Sequence, residues 1–217
     1  MLTEPRPEFQ LLETMLWEPE SGIFLLNEHL QRLGKSAAYF DVPLDIYGIQ
    51  DALDQCVAGF NGTPHRIRLL VSRDGSFDVE TFLQTSTGSG VMKVMLAKEP
   101  IDSQDVFLFH KTTHRSVYEK AKADCPGCDD VILWNERGEV TEGCIANVVI
   151  RKGGKLVTPP ITSGLLGGTF REHLVKNGEI EEGIVTREDL RSADEVFLVN
   201  SVRKWQCSVW AKEESKA

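Results

Sequence analysis

The chain has 217 residues, 41% of them hydrophobic and 26% charged, an ordinary globular composition that excludes a collagenous or disordered chain and suffices to bury a core without disulfides. Its 24 Lys and Arg against 33 Asp and Glu leave a formal net charge of −9, a field that repels phosphate backbones and disfavours nucleic acid as a partner. No run approaches the roughly 18 apolar residues of a membrane helix, the acidic, proline-bearing start from Met1 to Phe9 predicts no secretory leader, and the odd count of five cysteines reads as reduced thiols of a cytoplasmic protein rather than a disulfide framework.

In chain order, Leu11 to Trp17 and Ile23 to Leu26 read as strands around the turn Glu18-Pro19-Glu20-Ser21-Gly22. Asn27 is placed to cap a helix that carries Leu30, Leu33, Ala37 and Phe40 at helical spacing, and Asp45 a second with Ile49, Leu53 and Val57. His65 to Arg73 and Phe77 to Gln84 form a hairpin through Asp74-Gly75-Ser76. Val91 to Ala97 is a further strand. The polar stretch 99–105, containing Pro100, reads as a linker, which divides the chain into a domain of residues 1–98 and a larger one of residues 106–217. The second opens with apolar Val106 to Phe109, read as a buried strand. A helix over Arg115 to Ala123, a strand Asp130 to Trp134 and a turn Asn135 to Gly138 follow. Next come a hairpin of Asn147 to Arg151 with Lys155 to Thr158, a helix near Thr169 to Asn177, strands Gly183 to Thr186 and Glu195 to Val199, and a tail strand near Cys207 to Trp210. Strands and helices mix without strict alternation, so the fold class is α+β with mostly antiparallel sheets.

The most informative local element is Gly164-Leu165-Leu166-Gly167-Gly168-Thr169-Phe170-Arg171. Glycines before a helix admit a ligand close to backbone N–H groups, the helix N-terminus adds positive partial charge, and Thr169 supplies a hydroxyl, a combination that suits phosphate as well as an ordinary helix cap. The Lys that a nucleotide-triphosphate loop requires is absent from it. Lys111, following Val106 to Phe109, sits where a desolvated amine becomes a nucleophile for carbonyls, or where a surface lysine starts a loop. His110 and His114 at i, i+4 have metal-ligand spacing but lack the protease glutamate between them. Cys125-Pro-Gly-Cys128 fits a plain turn better than a redox pair or a zinc site with no second pair. Glu142 lies in a Gly- and hydroxyl-flanked stretch ahead of a buried strand. Arg32 lies off the Leu30/Leu33 helix face and reads as a solvated charge, while Arg66 and Arg68 share one strand face.

Taken together, Phe9-Gln-Leu-Leu-Glu13-Thr14, His29-Leu-Gln-Arg32-Leu33, Lys111, Gly138-Glu-Val-Thr-Glu142 with Asn147, Gly164 to Arg171, and Asn200-Ser201 occur in the order seen in fold-type IV (class IV) pyridoxal-phosphate aminotransferases, which the chain resembles over nearly its whole length. The His-Lys-Thr-Thr-x-Arg and Asn-Ser-Val-Arg runs most resemble the aminodeoxychorismate lyase branch, including the lyase-like segment of synthase–lyase fusions. The resemblance implies a two-domain fold, with a small α/β N-terminal domain and a larger mixed-sheet C-terminal one, and pyridoxal 5'-phosphate as cofactor. It places the Schiff-base lysine on Lys111, the carboxylate for the pyridine nitrogen on Glu142, the phosphate arginine on Arg32, the phosphate loop on Leu165, Gly167, Gly168 and Thr169, and a further phosphate hydroxyl on Ser201. It implies a homodimer, no metal, and a lyase that releases pyruvate and 4-aminobenzoate in folate biosynthesis, or alternatively a transaminase of branched-chain or D-amino acids. An aminodeoxychorismate synthase is then a possible partner. Arg66, Arg115 and Arg203 are candidates to hold substrate carboxylates. The Tyr-Gly-Asp-Gly-type loop with which the family usually opens is not found here, so the resemblance bears on cofactor more than on substrate.

Overall fold

The computed structural model describes residues 7–84 and 90–211; the first six residues, on which the reading of the chain start fell, lie outside them. The chain forms two compact units, Met1–Thr85 with His110–Arg115, and Ser86–Phe109 with Ser116–Ala217. This differs from the expected division into 1–98, 99–105 and 106–217. Val91 to Ala97 belongs with the second unit because its strand is hydrogen-bonded to strands there, and the segment after Phe109 returns to the first unit because its backbone pairs with that unit's opening strand.

The first unit holds β1 (Leu11–Glu18), β2 (Gly22–Ile23), α1 (Leu26–Phe40), α2 (Ile46–Ala58), β3 (His65–Val71) and β4 (Phe77–Leu83). Among the described residues its sheet runs β2-β1-β3-β4, all antiparallel. Packing of α1 against β1 and α2 against β4 buries Leu11, Met15, Leu33, Ile49, Leu53, Ile67 and Leu69, the positions the strand and helix periods pick out. The Asp45 side chain accepts from the Gly48 N–H and caps α2 as expected, and Asp74 accepts from Ser76 in the β3–β4 turn, where Gly75 has φ +87°. The expected strand through Leu26 stops at Ile23. Leu25 turns into the left-handed region at φ 55° and α1 starts at Leu26, so Asn27 lies inside the helix and does not cap it.

The second unit holds β5 (Met92–Leu96), α3 (Ser116–Asp124), β6 (Asp130–Trp134), β7 (Val140–Gly143), β8 (Asn147–Lys152), β9 (Lys155–Thr158), α4 (Thr169–Lys176), β10 (Glu181–Glu182), α5 (Arg187–Arg191), β11 (Glu195–Asn200) and β12 (Lys204–Trp210). Its sheet order is β10-β9-β8-β11-β12-β5-β6-β7, and a further β7–β8 pairing closes the six strands from β8 to β7 into a ring, which leaves those six without an open edge while β9 and β10 branch from β8. The β12–β5, β5–β6 and β9–β10 pairs are parallel, and the rest antiparallel. One core gathers Val94, Ile132, Val148, Ile150 and Leu198 with Val185 and Leu190, and another gathers Val131, Leu133, Leu108, Tyr118, Ala121 and Cys144.

Val106–Leu108 is a 3-10 turn, not the expected strand, because the Asp105 carboxylate accepts from the Phe107 N–H and starts a turn. Lys111 therefore does not end a buried strand. The Gly183 to Thr186 strand is also absent: Thr186 and Asp189 form a capping box that opens α5. All five cysteines are free thiols. No helix among the described residues is long and apolar enough to cross a membrane.

Candidate active site

The predicted residues divide between the two units. In the second, Glu142 pairs with Asn147 at the seam where β7 meets β8. Its side chain is buried, and its Oε1 accepts from the Tyr118 hydroxyl at 2.8 Å and the Leu166 N–H at 3.2 Å. The Asn147 amide donates to the Leu166 carbonyl at 2.9 Å and lies 3.4 Å from Glu142 Oε2. One strand residue thus fixes both the carboxylate and the loop that runs into α4. A carboxylate buried this way keeps one orientation because each donor would lose a partner if it turned.

The loop itself is built from the glycines the sequence singles out. Gly164 has φ +88°, and a Cβ there would lie 2.8 Å from the Ser103 backbone, so only glycine fits. A Cβ on Gly168 would overlap Asn147 Oδ1. Gly168 is also the N-cap of α4 and brings no side chain to it, while Thr169 and Leu165 are buried. Upstream, Asn135 donates to the Ser163 carbonyl, Arg137 to the Thr162 carbonyl, and Ser163 to Glu139, which anchors the loop's start. Hydrogen bonds from Arg137 and Asn135, against some desolvation, hold Glu139 down at about 2.

Ser201 lies just past β11, whose Val199 pairs with Asn147 on one side and Trp205 on the other. Phe170, at the start of α4, meets Trp205 edge-on at 6.5 Å. Glu142, Asn147, the start of α4 and the buried Ser201 therefore gather at one end of the ring. Asn200 Oδ1 accepts from the N–H groups of Val202 and Arg203, and the Arg203 guanidinium reaches Met92 Sδ at 3.9 Å.

The seam has its own clamp. Asp130, fully buried, accepts from the N–H groups of Val131, Cys144 and Ile145. It thereby holds the turn between Glu142 and Asn147. A Cβ on Gly143 would come 2.8 Å from Asp130 Oδ2, so glycine is needed for the approach. Burial raises the Asp130 carboxyl above its ordinary value, with Lys122 and the backbone donors pulling the other way.

In the first unit, Arg32 is not the solvated charge its helix position suggests. Its Nε and Nη2 make a fork on Glu13 at 2.9 and 2.6 Å, and His29 Nδ1 lies 2.6 Å from the same carboxylate. Burial opposes ionisation of Glu13, but the Arg32 charge and the His29 hydrogen bond prevail and pull it down to about 2. The Lys111 carbonyl accepts from the Leu12 N–H, and Thr113 exchanges hydrogen bonds with Gln10 through its backbone and hydroxyl, which lays the segment along β1. Arg115, half-buried, ends that segment. Arg66 lies over the Phe82 ring at 4.7 Å and Arg68 meets Glu80 at 3.4 Å, so both arginines have partners on β4. His110 bonds to Ser36, and among the described residues no group of three or more His, Cys, Asp or Glu is placed to hold a metal. Cys128 donates to the Cys125 carbonyl.

The closed mixed ring and the small antiparallel sheet with its helices define the fold-type IV architecture. The chain belongs to the amino-transferase class IV family, which residues 10–207 match. It is 32% identical over 207 residues to a candidate aminodeoxychorismate lyase of Schizosaccharomyces pombe, covering 91% of this chain and 87% of that one. It is 30% identical over 190 residues to a candidate branched-chain-amino-acid aminotransferase of Thermotoga maritima, covering 82% and 68%. A solved structure from Mesorhizobium loti, a candidate amino-acid aminotransferase, is similar with a TM-score of 0.87 at 34% identity over 94% of this chain and 100% of that one.

The residues present fit a phosphorylated ring cofactor. An N-cap glycine that brings no side chain of its own to the start of α4 suits a phosphate there. A buried carboxylate fixed by a hydroxyl, a backbone N–H and an amide suits a protonated ring nitrogen. Sequence reasoning missed Tyr118, whose only signal was a hydroxyl-bearing residue on the buried Tyr118/Ala121 face of α3, where it needs a partner. It also missed Asp130, which reads there as a strand end, and Glu13 as the partner of Arg32.

Proposed function

We propose that this chain is a pyridoxal-phosphate enzyme that cleaves 4-amino-4-deoxychorismate to pyruvate and 4-aminobenzoate, a step of folate biosynthesis. The observation that carries the cofactor is the buried Glu142 carboxylate, held by Tyr118, Leu166 and Asn147 beside a loop closed to any side chain at Gly168. The lyase assignment is supported by the similarity to the fission-yeast protein over nine-tenths of the chain. When bound, pyridoxal phosphate supplies an aldehyde for amines and a ring that accepts electron density from the adjoining carbon.

The rest falls to the chain's own residues. Lys111 would hold the cofactor through its amine, and the same amine would take the proton from the substrate carbon that bears the amino group. Glu142 keeps the ring nitrogen protonated. Gly167, Gly168, Thr169, Leu165 and Ser201 hold the phosphate, and Arg32 supplies its countercharge. Arg66, Arg115 and Arg203 are the candidates for the substrate carboxylates. In the lyase the bond from the ring to the enolpyruvyl oxygen breaks, pyruvate leaves, and the substrate ring becomes aromatic, which drives the step. A homodimer, and a synthase that delivers the substrate, belong to the same reading. The second reading, a transaminase, is favoured by the similarity to the Thermotoga and Mesorhizobium proteins. There the proton returns elsewhere and a keto acid leaves.

The test supplies aminodeoxychorismate from a synthase, chorismate and ammonia, with no keto-acid acceptor, and quantifies both products. Equal 4-aminobenzoate and pyruvate, lost in Lys111→Ala, is the expected result. A protein that binds cofactor yet yields neither, and instead turns over amino-donor and keto-acid pairs, is the transaminase.

A further inference from the structure

In the Glu13–His29–Arg32 cluster, Glu13 and His29 are 1% and 0% exposed. His29 and Arg32 stand three residues apart on α1 and so share a face, and Glu13 meets both from β1. The arginine is engaged through its Nε–Nη2 edge at both carboxylate oxygens, while the ring of His29 holds Oε2 from another side. Packing alone does not call for this arrangement. A buried ion pair stabilises a fold no better than apolar side chains of the same volume. What it adds is orientation: an arginine carries about 2 kcal/mol of rotamer freedom, and the fork removes it before a ligand arrives.

From this geometry we infer that Glu13 is a positioning residue for the cofactor phosphate, holding the Arg32 guanidinium in its binding orientation while His29 fixes Glu13 in turn. The inference rests on the phosphate role proposed for Arg32. Ionisation of Glu13 down to about pH 2 keeps the fork charged under all working conditions.

The test compares pyridoxal 5'-phosphate with pyridoxal, which lacks the phosphate. Full-length apo-protein is titrated with each, following tryptophan fluorescence, for the wild type, Glu13→Gln, Glu13→Asp and Arg32→Ala, with thermal melts to verify folding. Glu13→Asp keeps the charge and shortens its reach, so it remains informative where Glu13→Gln does not fold. Loss of an orienting partner one shell out typically weakens binding 10–100-fold. The expected result is a loss of roughly that size for the phosphorylated ligand in both Glu13 variants, with pyridoxal affinity unchanged. Equal losses for both ligands would make Glu13 a structural tie and overturn the inference. So would wild-type phosphate affinity in the Glu13 variants when Arg32→Ala has lost it. If Arg32→Ala does not lose the preference for the phosphorylated ligand, the role proposed for Arg32 fails, and this inference with it.

Discussion

Glu142 and Glu13 are both buried carboxylates, yet their partners set them different tasks. Glu142 accepts from Tyr118, Leu166 and Asn147, which fix the orientation of its carboxylate. Glu142→Gln is expected to keep bound cofactor but lower turnover by about 100-fold or more, the scale of a proton-handling group. Tyr118→Phe, which removes one hydrogen bond to a charged oxygen, should produce a smaller fall. Steady-state rates alongside the visible absorbance of bound cofactor check both, and equal rates in wild type and Glu142→Gln would remove its assigned role. Glu13 is paired with a cation, and besides orienting Arg32 it makes stability depend on pH. Its carboxyl lies near 2 in the folded protein against an ordinary 4.5. Because the folded value is the lower one, its contribution is fully present above about 4.5 and is lost as pH falls through about 2. For a fully buried group the shift corresponds to about 3 kcal/mol. Urea unfolding at pH 6 and pH 3 should therefore show a smaller acid loss in Glu13→Gln than in wild type. These pairings were hard to read from sequence. Glu13 sits in a strand whose burial follows no period-two pattern that would mark a polar partner, and Arg32 lies off its helix's apolar stripe.

At the scale of elements, patterning was legible wherever a local signal decided the outcome. Asp45 caps α2 and Asp74-Gly75-Ser76 turns the β3–β4 hairpin, while the glycines before α4 seat the loop tightly against Ser103 and Asn147. It failed where one side chain redirected a short apolar run. Asp105 turns Val106–Leu108 into a 3-10 turn, and Thr186, last residue of an expected strand, instead caps α5 with Asp189. The glycines separate into two kinds that a single substitution distinguishes. Gly34, inside α1, has open space around it and no positive φ. Gly34→Ala should stabilise by about 0.5–1 kcal/mol, a rise of a few degrees in melting temperature. Gly168→Ala should do the reverse, because its Cβ would displace the Asn147 amide that holds Leu166. Overpacking of this kind costs about 1–3 kcal/mol, and the same displacement should weaken pyridoxal-phosphate binding in a fluorescence titration.

Over the whole molecule, chain order and architecture part company. The expected division placed the boundary at a proline-bearing polar stretch, as composition suggests. The chain instead leaves the first unit earlier and later returns six residues to it, His110–Arg115. Composition cannot signal that return, since it is made by backbone pairing between residues about 100 positions apart. Leu12 donates to the Lys111 carbonyl, Thr113 to the Gln10 carbonyl, and Gln10 to the Thr113 hydroxyl, along the edge of β1 that β3 does not use. Without that strip, β1 would expose an edge of unpaired N–H and C=O groups beside Leu11 and Leu12, which are 1% and 7% exposed in the fold. Residues 1–85 expressed alone should therefore lack a cooperative thermal transition and tend to aggregate. The same fragment extended by a glycine–serine linker and residues 110–115 should regain one, because the appended strip restores the missing pairing at the modest entropy of closing a flexible loop. Circular dichroism melts of the two fragments decide the matter: a cooperative transition in the shorter one would mean that the returning segment is dispensable to the unit it completes.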